Sequence, residues 1–218
     1  MTQIQVTKRH GNKEPLDLEK LHKVVFWATK DITGVSASEV EIKSHLQFYN
    51  GIKTSAIQET LIKSAADLIS EETPNYQFVA GRLINYHLRK EVYDSYTPWP
   101  LLKIVQRNVE SEFYDAELLA AYSTAEWEEL DAEIDHNRDE TFTYIAMEQW
   151  RGKYLVQNRV TKEIFETPQV AYMLIAATLF QSYPKETRMR WVKDYYHGIS
   201  KFDISLPTPI MAGVRTSQ

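Results

Sequence analysis

The sequence contains no cysteine. A chain without thiols forms no disulfide, holds no zinc ribbon or iron–sulfur cluster, and offers neither a thiol nucleophile nor a redox-active dithiol. We therefore expect no thiol-bound metal or redox cofactor and no catalytic thiol within this chain.

Glycine and proline are also scarce, with 7 and 8 in 218 residues, which favours long helices over many short strands. No apolar run approaches the roughly 20 residues that cross a bilayer, and the first residues lack the basic and apolar blocks of a signal peptide. We therefore expect no membrane contact and a cytoplasmic location. The formal charge of −5, from 25 basic and 30 acidic residues, disfavours a nucleic-acid surface, which usually carries a basic patch.

The first 95 residues are predicted to form one unit, a β-hairpin followed by four helices. Ile4 and Val6 alternate with polar residues, and the stretch 9–12 is a turn signal. Helical spacing of apolar residues then predicts helices that start near Asp17, Ser38, Thr54 and Pro74.

The segment 96–100 (Tyr-Thr-Pro-Trp-Pro) is the predicted boundary. Residues 96–218 are predicted to be helical apart from one small hairpin and an extended tail over 205–215. The predicted helices lie near 101–111, 115–122, 124–135, 141–151, 168–180 and 184–199, and the hairpin flanks 158–162. The predicted fold class is mainly α.

The usual phosphate-binding loops are missing. There is no G-x-G-x-x-G, and Gly152-Lys153 lacks the earlier glycine of a P-loop. His22, His45 and His87 have no second histidine one helical turn away, so a metal site is not expected.

A distributed polar set in the first unit has the chemistry that a nucleoside triphosphate requires. Cations bind phosphate, carboxylates accept from a base or ribose, and a hydroxyl at a helix start adds a phosphate donor. The cations are Lys8, Lys20 and Lys90, the carboxylates are Glu14 and Asp17, and the hydroxyl is that of Thr54. By spacing alone, surface lysines and helix caps explain these residues better.

Longer blocks of sequence resemble a known family. The first set resembles the ATP-cone, the nucleotide-sensing module of ribonucleotide reductase large subunits: Val6-Thr-Lys-Arg, Leu18-Glu-Lys-Leu-His-Lys-Val, Asp67-Leu-Ile-Ser and Asn75-Tyr-Gln-Phe-Val-Ala-Gly-Arg-Leu. The second set resembles the same subunit just past its cone: Tyr114-Asp-Ala-Glu-Leu-Leu, Gly152-Lys-Tyr-Leu-Val, Glu166-Thr-Pro-Gln and Ser205-Leu-Pro-Thr-Pro-Ile-Met-Ala-Gly-Val-Arg. The blocks span essentially the whole chain in the family's order.

The resemblance implies the N-terminal part of a class I large subunit, ahead of a ten-stranded α/β barrel that carries the radical and reducing cysteines. It implies ATP or dATP as allosteric effector, with Mg²⁺ as an accompanying ion, and a substrate-diphosphate contact at Thr208. The effector residues that it implies are Lys8, Glu14, Asp17, Lys20, Thr54, Gln58 and Lys90. The family commonly has Asn where Asp17 stands and His where Gln58 stands.

The resemblance also implies partners. We expect a separate chain with the catalytic cysteines and a radical-generating small (beta) subunit, which together reduce ribonucleoside diphosphates with thioredoxin or glutaredoxin as reductant. This chain alone should be inactive. A truncated large subunit would have nearly the same sequence, and a degenerate cone that only docks partners is the alternative function. ATP-cones also occur in transcriptional repressors, but those carry a four-cysteine zinc ribbon, which this chain lacks.

Overall fold

The structure, a computed structural model, describes residues 4–216. The amino-terminal part contains a small sheet of β1 (Gln5–Thr7), β2 (Lys13–Pro15) and β3 (Ile52–Lys53). Its helices are α1 (Leu18–Thr29), α2 (Ala37–His45), α3 (Thr54–Ala66) and α4 (Tyr76–Tyr93). The hairpin and the four helices agree with the prediction. The short strand β3 was not predicted.

The apolar spacing of α1 explains how it packs. Leu21, Val24, Val25 and Ala28 recur at helical intervals and are all buried. The Asp17 side chain caps the helix start by accepting a hydrogen bond of 3.0 Å from the backbone N–H of Lys20. Apolar side chains of α3 and α4 complete the same core.

The rest of the chain is helical, so the predicted fold class is confirmed. The elements are α5 (Leu101–Glu110), α6 (Ala116–Ala121), α7 (Thr124–Glu133), a 3₁₀ helix (His136–Thr141), α8 (Tyr144–Gln149), a π-helix (Trp150–Tyr154), α9 (Pro168–Phe180), α10 (Lys185–Ser200) and α11 (Thr208–Gly213). Ten consecutive residues of α9, Pro168 to Ala177, are buried, and α10 packs along this helix. Across residues 4–216, none of the helices has the length and apolarity needed to cross a bilayer.

Two expectations for this part need correction. The tail over 205–215 is not extended throughout, because Thr208 and Pro209 start the short helix α11, where a proline without N–H is tolerated. The segment predicted as one helix over 141–151 contains the end of the 3₁₀ helix, then α8, then the start of the π-helix. The predicted second hairpin is present but short: Gln157 forms an antiparallel bridge with Ile164, and the N–H of Asn158 donates to the carbonyl of Glu163 at 2.8 Å.

The described residues group into two compact units, 4–87 with 140–148, and 88–139 with 149–216. The grouping changes inside α4, whose residues up to His87 belong to the first unit and whose residues from Leu88 belong to the second. The division that we predicted, 1–95 and 96–218, stays a prediction about domains.

Candidate functional site

The sheet of the first unit brings two distant segments of the chain side by side. β1 lies in the middle, antiparallel to β2 and parallel to β3, with Thr7 opposite Lys53. Thr7 Oγ1 also donates a hydrogen bond of 3.1 Å to the carbonyl of Gly51. Because β1 and β3 run in the same direction, the end of β1 reaches the start of α3. Lys8 and Thr54 are the next residues on these two paths.

Lys8 is placed by a tight turn and paired with a carboxylate. Its backbone N–H donates to the carbonyl of Asn12 at 2.8 Å, and its own carbonyl accepts from Gly11, which has a φ of +83°. The Lys8 ammonium lies 2.7 Å from Glu14 Oε1, and both side chains are partly exposed. Of the predicted effector residues, these two meet directly.

Asp17 and Lys20 meet at the start of α1, but through the cap rather than through two side chains. One carboxylate oxygen of Asp17 is engaged by the Lys20 N–H. The side chains of both residues are exposed to solvent. Asp17 therefore has a structural role in this conformation, in addition to the role that the resemblance implies.

Thr54 and Gln58 lie on one face of α3, one helical turn apart. The N-cap residue of this helix is Lys53, and no side chain among the described residues caps the helix start. Within residues 4–216, the buried Oε1 atom of Gln58 has no hydrogen-bond partner. A buried acceptor without a donor lowers the stability of the fold by about 1–3 kcal/mol. A ligand that donates a hydrogen bond to this atom would remove that cost.

Two further residues connect elements of the first unit, and neither was predicted as an effector residue. Asn50 accepts a hydrogen bond of 2.9 Å from the backbone N–H of Gln5 and so holds β1 beside the entry to β3. His87, buried in α4, places Nε2 3.4 Å from Glu59 Oε1 on α3. The pair Asn50-Gly51 is typical of a turn, and here it forms the corner that leads into β3.

Lys90 lies in the last turn of α4, is partly buried, and belongs to the second unit. Its place in the effector set therefore stays a prediction. The described residues contain no group of three His, Asp or Glu side chains that could hold a metal ion.

Thr208, the predicted substrate contact, is the exposed first residue of α11. Arg215 anchors this helix from inside the second unit. Its guanidinium is fully buried, donates to Glu166 at 2.9 Å (Nε to Oε2), and donates to the carbonyl of Met211 in α11 at 2.8 Å. Burial lowers the pKa of Arg215, but the Glu166 carboxylate more than offsets this, and the net shift is upward.

Glu166 is itself fully buried, and its carboxylate accepts hydrogen bonds from several donors. It also accepts from the Tyr114 hydroxyl at 2.5 Å and from the backbone N–H of Val156 at 2.7 Å. The pKa of Tyr114 lies well above its usual value, mainly because the hydroxyl is buried and also because the Glu166 carboxylate is close. A buried ion pair whose remaining acceptors are satisfied fixes the segments that it joins.

Comparison with known proteins finds two family domains in the chain. Residues 4–91 match the family described as the ATP cone domain, and residues 140–218 match the ribonucleotide reductase all-alpha domain. The ribonucleoside-diphosphate reductase subunit alpha of Haemophilus influenzae is 54% identical over 213 residues, which are 98% of this chain and 28% of that protein. Subunit alpha of the Escherichia coli K12 reductase 1 is also 54% identical, over the same shares of the two chains.

The subunit alpha of Enterobacteria phage T4 is more distant, 41% identical over 218 residues, which are 99% of this chain and 28% of the phage protein. The chain thus spans a little over a quarter of the length of the curated relatives that it matches. Through its ATP cone and its all-alpha domain, the chain belongs to the family of ribonucleotide reductase large subunits.

Proposed function

We propose that this chain is the nucleotide-sensing, non-catalytic part of a ribonucleoside-diphosphate reductase whose chemistry is carried by another chain. The observation that carries the sensing role is the unsatisfied acceptor of Gln58, on the face of α3 that starts beside Lys8. A nucleotide supplies what is missing there, because its ribose hydroxyls and adenine amino group are donors and its phosphates are anions.

The cation Lys8 would hold phosphate oxygens. In the present conformation it is neutralised by Glu14, and an ion pair this exposed is worth only about 0–1 kcal/mol. A phosphate that replaces the carboxylate forms charge-assisted hydrogen bonds of comparable or greater strength. Glu14 is then free to accept from the base or the ribose. The exchange makes binding a competition between one internal anion and one external anion.

Asp17 works against a triphosphate, since it adds a negative charge at the start of α1. Lys20 would offset that charge, and Mg²⁺ accompanying the nucleotide would screen it further. The departure from Asn at this position therefore lowers affinity without removing the site. If ATP or dATP binds one assembly of the enzyme more tightly than another, its binding would shift the balance between active and inhibited complexes.

The catalytic role belongs elsewhere, because reduction at a ribose carbon needs thiols and this chain has none. We propose that a companion chain, encoded by the neighbouring reading frame, carries the cysteines. Together with a radical-generating small subunit it would reduce ribonucleoside diphosphates in the cytoplasm of a bacterial or phage-infected cell. Thr208, held on α11, would contact the substrate diphosphate.

Calorimetry of this chain with ATP and with dATP tests the sensing role. We expect saturable heat with at least one nucleotide and loss of that heat in Lys8→Ala. The matched control is Lys63→Ala, at the far end of α3, where the side chain is exposed; it should bind like the unaltered chain. Unchanged binding in Lys8→Ala would remove Lys8 from the site.

The alternative function is a degenerate cone that only docks a partner. The observation that favours it is a set of exposed apolar side chains on and just after α2, namely Ile42, Leu46 and Tyr49, which are 66%, 85% and 62% exposed. Exposed apolar side chains in such numbers mark interaction surfaces. Absence of heat with both nucleotides, with association to the companion retained, would establish this alternative in place of sensing.

A further inference from the structure

The second unit contains an open cavity of about 680 Å³ that no step of the proposed function uses. Its walls come from the π-helix (Trp150–Tyr154), the turn over 157–162, α11 and Thr216, which forms an isolated β-bridge. A cavity of this size lies within the ordinary range for binding sites.

The charge around the cavity is opposite to that of the whole chain. Three cations line it, Lys153, Arg159 and Lys162, against the single carboxylate of Glu112. Within residues 4–216 none of the three cations forms an ion pair, although acidic residues outnumber basic ones by 30 to 25 over the chain. Unpaired cations gathered at one edge of an acidic protein favour an anionic partner.

The turn that carries two of these cations is ordered but presents its side chains outward. The Asn158 side chain accepts from the backbone N–H groups of Val160 and Thr161 at 2.9 and 3.0 Å. Lys162 is held at a φ of +65°, a conformation that costs free energy in a residue with a side chain. Val160 at the tip is 91% exposed. A fixed turn with an exposed apolar tip between cations suits a protein surface rather than a small ion.

The opposite walls are fixed as well. The buried guanidinium of Arg215 donates to the carbonyl of Tyr154 at the end of the π-helix and to the carbonyl of Met211 in α11. The bridge between Tyr114 and Thr216 holds the next segment. The cavity is therefore preformed, and a partner needs to order few groups on this side.

We propose that this basic surface, comprising Lys153, Arg159, Val160 and Lys162, docks an acidic segment of the cysteine-bearing companion chain. The inference rests on the proposed function, which requires such a companion. The relatives are more than three times as long as this chain, and the resemblance implies that their remaining residues follow the segment that forms the Thr216 wall. The basic surface shares its cavity with Thr216 and so lies beside the segment that, by the resemblance, precedes the catalytic portion of a large subunit.

The test measures association of this chain with the companion encoded by the neighbouring reading frame, at about 50 and about 200 mM NaCl, because exposed charges are screened at higher salt. The first variant is Arg159→Glu/Lys162→Glu. The matched control is Lys185→Glu/Lys201→Glu, with the same change of charge at exposed positions of the same unit that do not line the cavity. A third variant, Val160→Asp, removes the apolar tip.

We expect Arg159→Glu/Lys162→Glu to weaken association at least tenfold at the lower salt and less at the higher, while the control stays within about twofold. Val160→Asp should weaken it at both salt concentrations. Equal affinities for the unaltered chain and Arg159→Glu/Lys162→Glu would refute this docking surface and leave the proposed function intact. No association of the unaltered chain would refute the proposed function itself.

Calorimetry with inorganic tripolyphosphate tests whether the cavity binds a small anion instead of a protein segment. Binding of tripolyphosphate that is lost in Arg159→Glu/Lys162→Glu, with companion association unchanged, would make the cavity a small-anion site and overturn the docking proposal.

Discussion

Removing the Glu166 carboxylate should unfold the second unit or bring it close to unfolding. Glu166→Ala leaves the Arg215 guanidinium, which is 0% exposed, without its counter-ion. Breaking a buried ion pair by deleting one partner costs about 3–5 kcal/mol. The same change leaves the Tyr114 hydroxyl and the Val156 N–H without their acceptor, at about 1–3 kcal/mol for each buried group. Because one carboxylate serves all these donors, the costs overlap, and we expect a loss of about 4–6 kcal/mol.

Urea unfolding followed by circular dichroism and tryptophan fluorescence measures this loss. A domain is stable by only about 5–15 kcal/mol in total, so the shift in midpoint should be large. Asp194→Ala is the control: Asp194 faces Arg190 at 3.8 Å with both side chains mostly exposed, and its loss should cost less than about 0.5 kcal/mol.

The double variant Glu166→Leu/Arg215→Met removes both charges and should recover much of the loss, because no buried charge remains unpaired. A loss below about 1 kcal/mol in Glu166→Ala would refute the buried ion pair as the anchor of this unit. The same result would remove the argument that the walls of the cavity are preformed.

Three further predictions concern packing, alkaline stability and effector affinity. A Cβ on Gly81 would collide with the backbone carbonyl of Phe142, so Gly81→Ala should lose about 2–4 kcal/mol in urea unfolding despite alanine's helix propensity. The control Gly213→Ala adds its Cβ in open space and should leave stability unchanged. Equal stabilities for the Gly81→Ala variant and the unaltered chain would contradict the close approach. Burial raises the pKa of Tyr122 and of Tyr196 to about 12. Above pH ~10 the folded state therefore keeps protons that the unfolded state loses, and the free energy of unfolding should fall by about 1.4 kcal/mol per pH unit for each tyrosine. A free energy of unfolding that stays constant from pH 9 to 11 would contradict this. Asp17→Asn keeps the helix cap but removes a negative charge, so ATP should bind about fivefold more tightly, or about 1 kcal/mol, in calorimetry; unchanged or weaker binding would place Asp17 away from the phosphates.

Patterns of apolar residues predicted most of the helices, because a helix that buries one stripe shows that stripe in its sequence. The stripe of α1 from Leu21 to Ala28 is an example, and the Asp17 cap was also predicted correctly. β3 could not be predicted in this way. Its two residues, Ile52 and Lys53, form a strand only because β1 lies beside them, and a parallel partner from the other end of the unit leaves no local signal.

The candidate site was predicted as a set of residue types, but its contacts were not. The sequence contained Lys8 and Glu14, and the antiparallel register that joins them follows from the predicted hairpin. That Gln58 would carry a buried atom without a partner depends on how α3 packs, which no spacing rule gives. The anchor between Glu166 and Arg215 joins residues that are 49 positions apart, and neither residue stood out in the sequence as buried.

On our proposal this chain contributes sensing and structure to a reduction that another chain performs. The decisive experiment assays conversion of a ribonucleoside diphosphate to its deoxy form, with thioredoxin as reductant, in three mixtures: this chain alone, the companion with the small subunit, and all three together. We expect product in the complete mixture and in neither of the others. Product from this chain alone, or full activity without it, would refute the proposal.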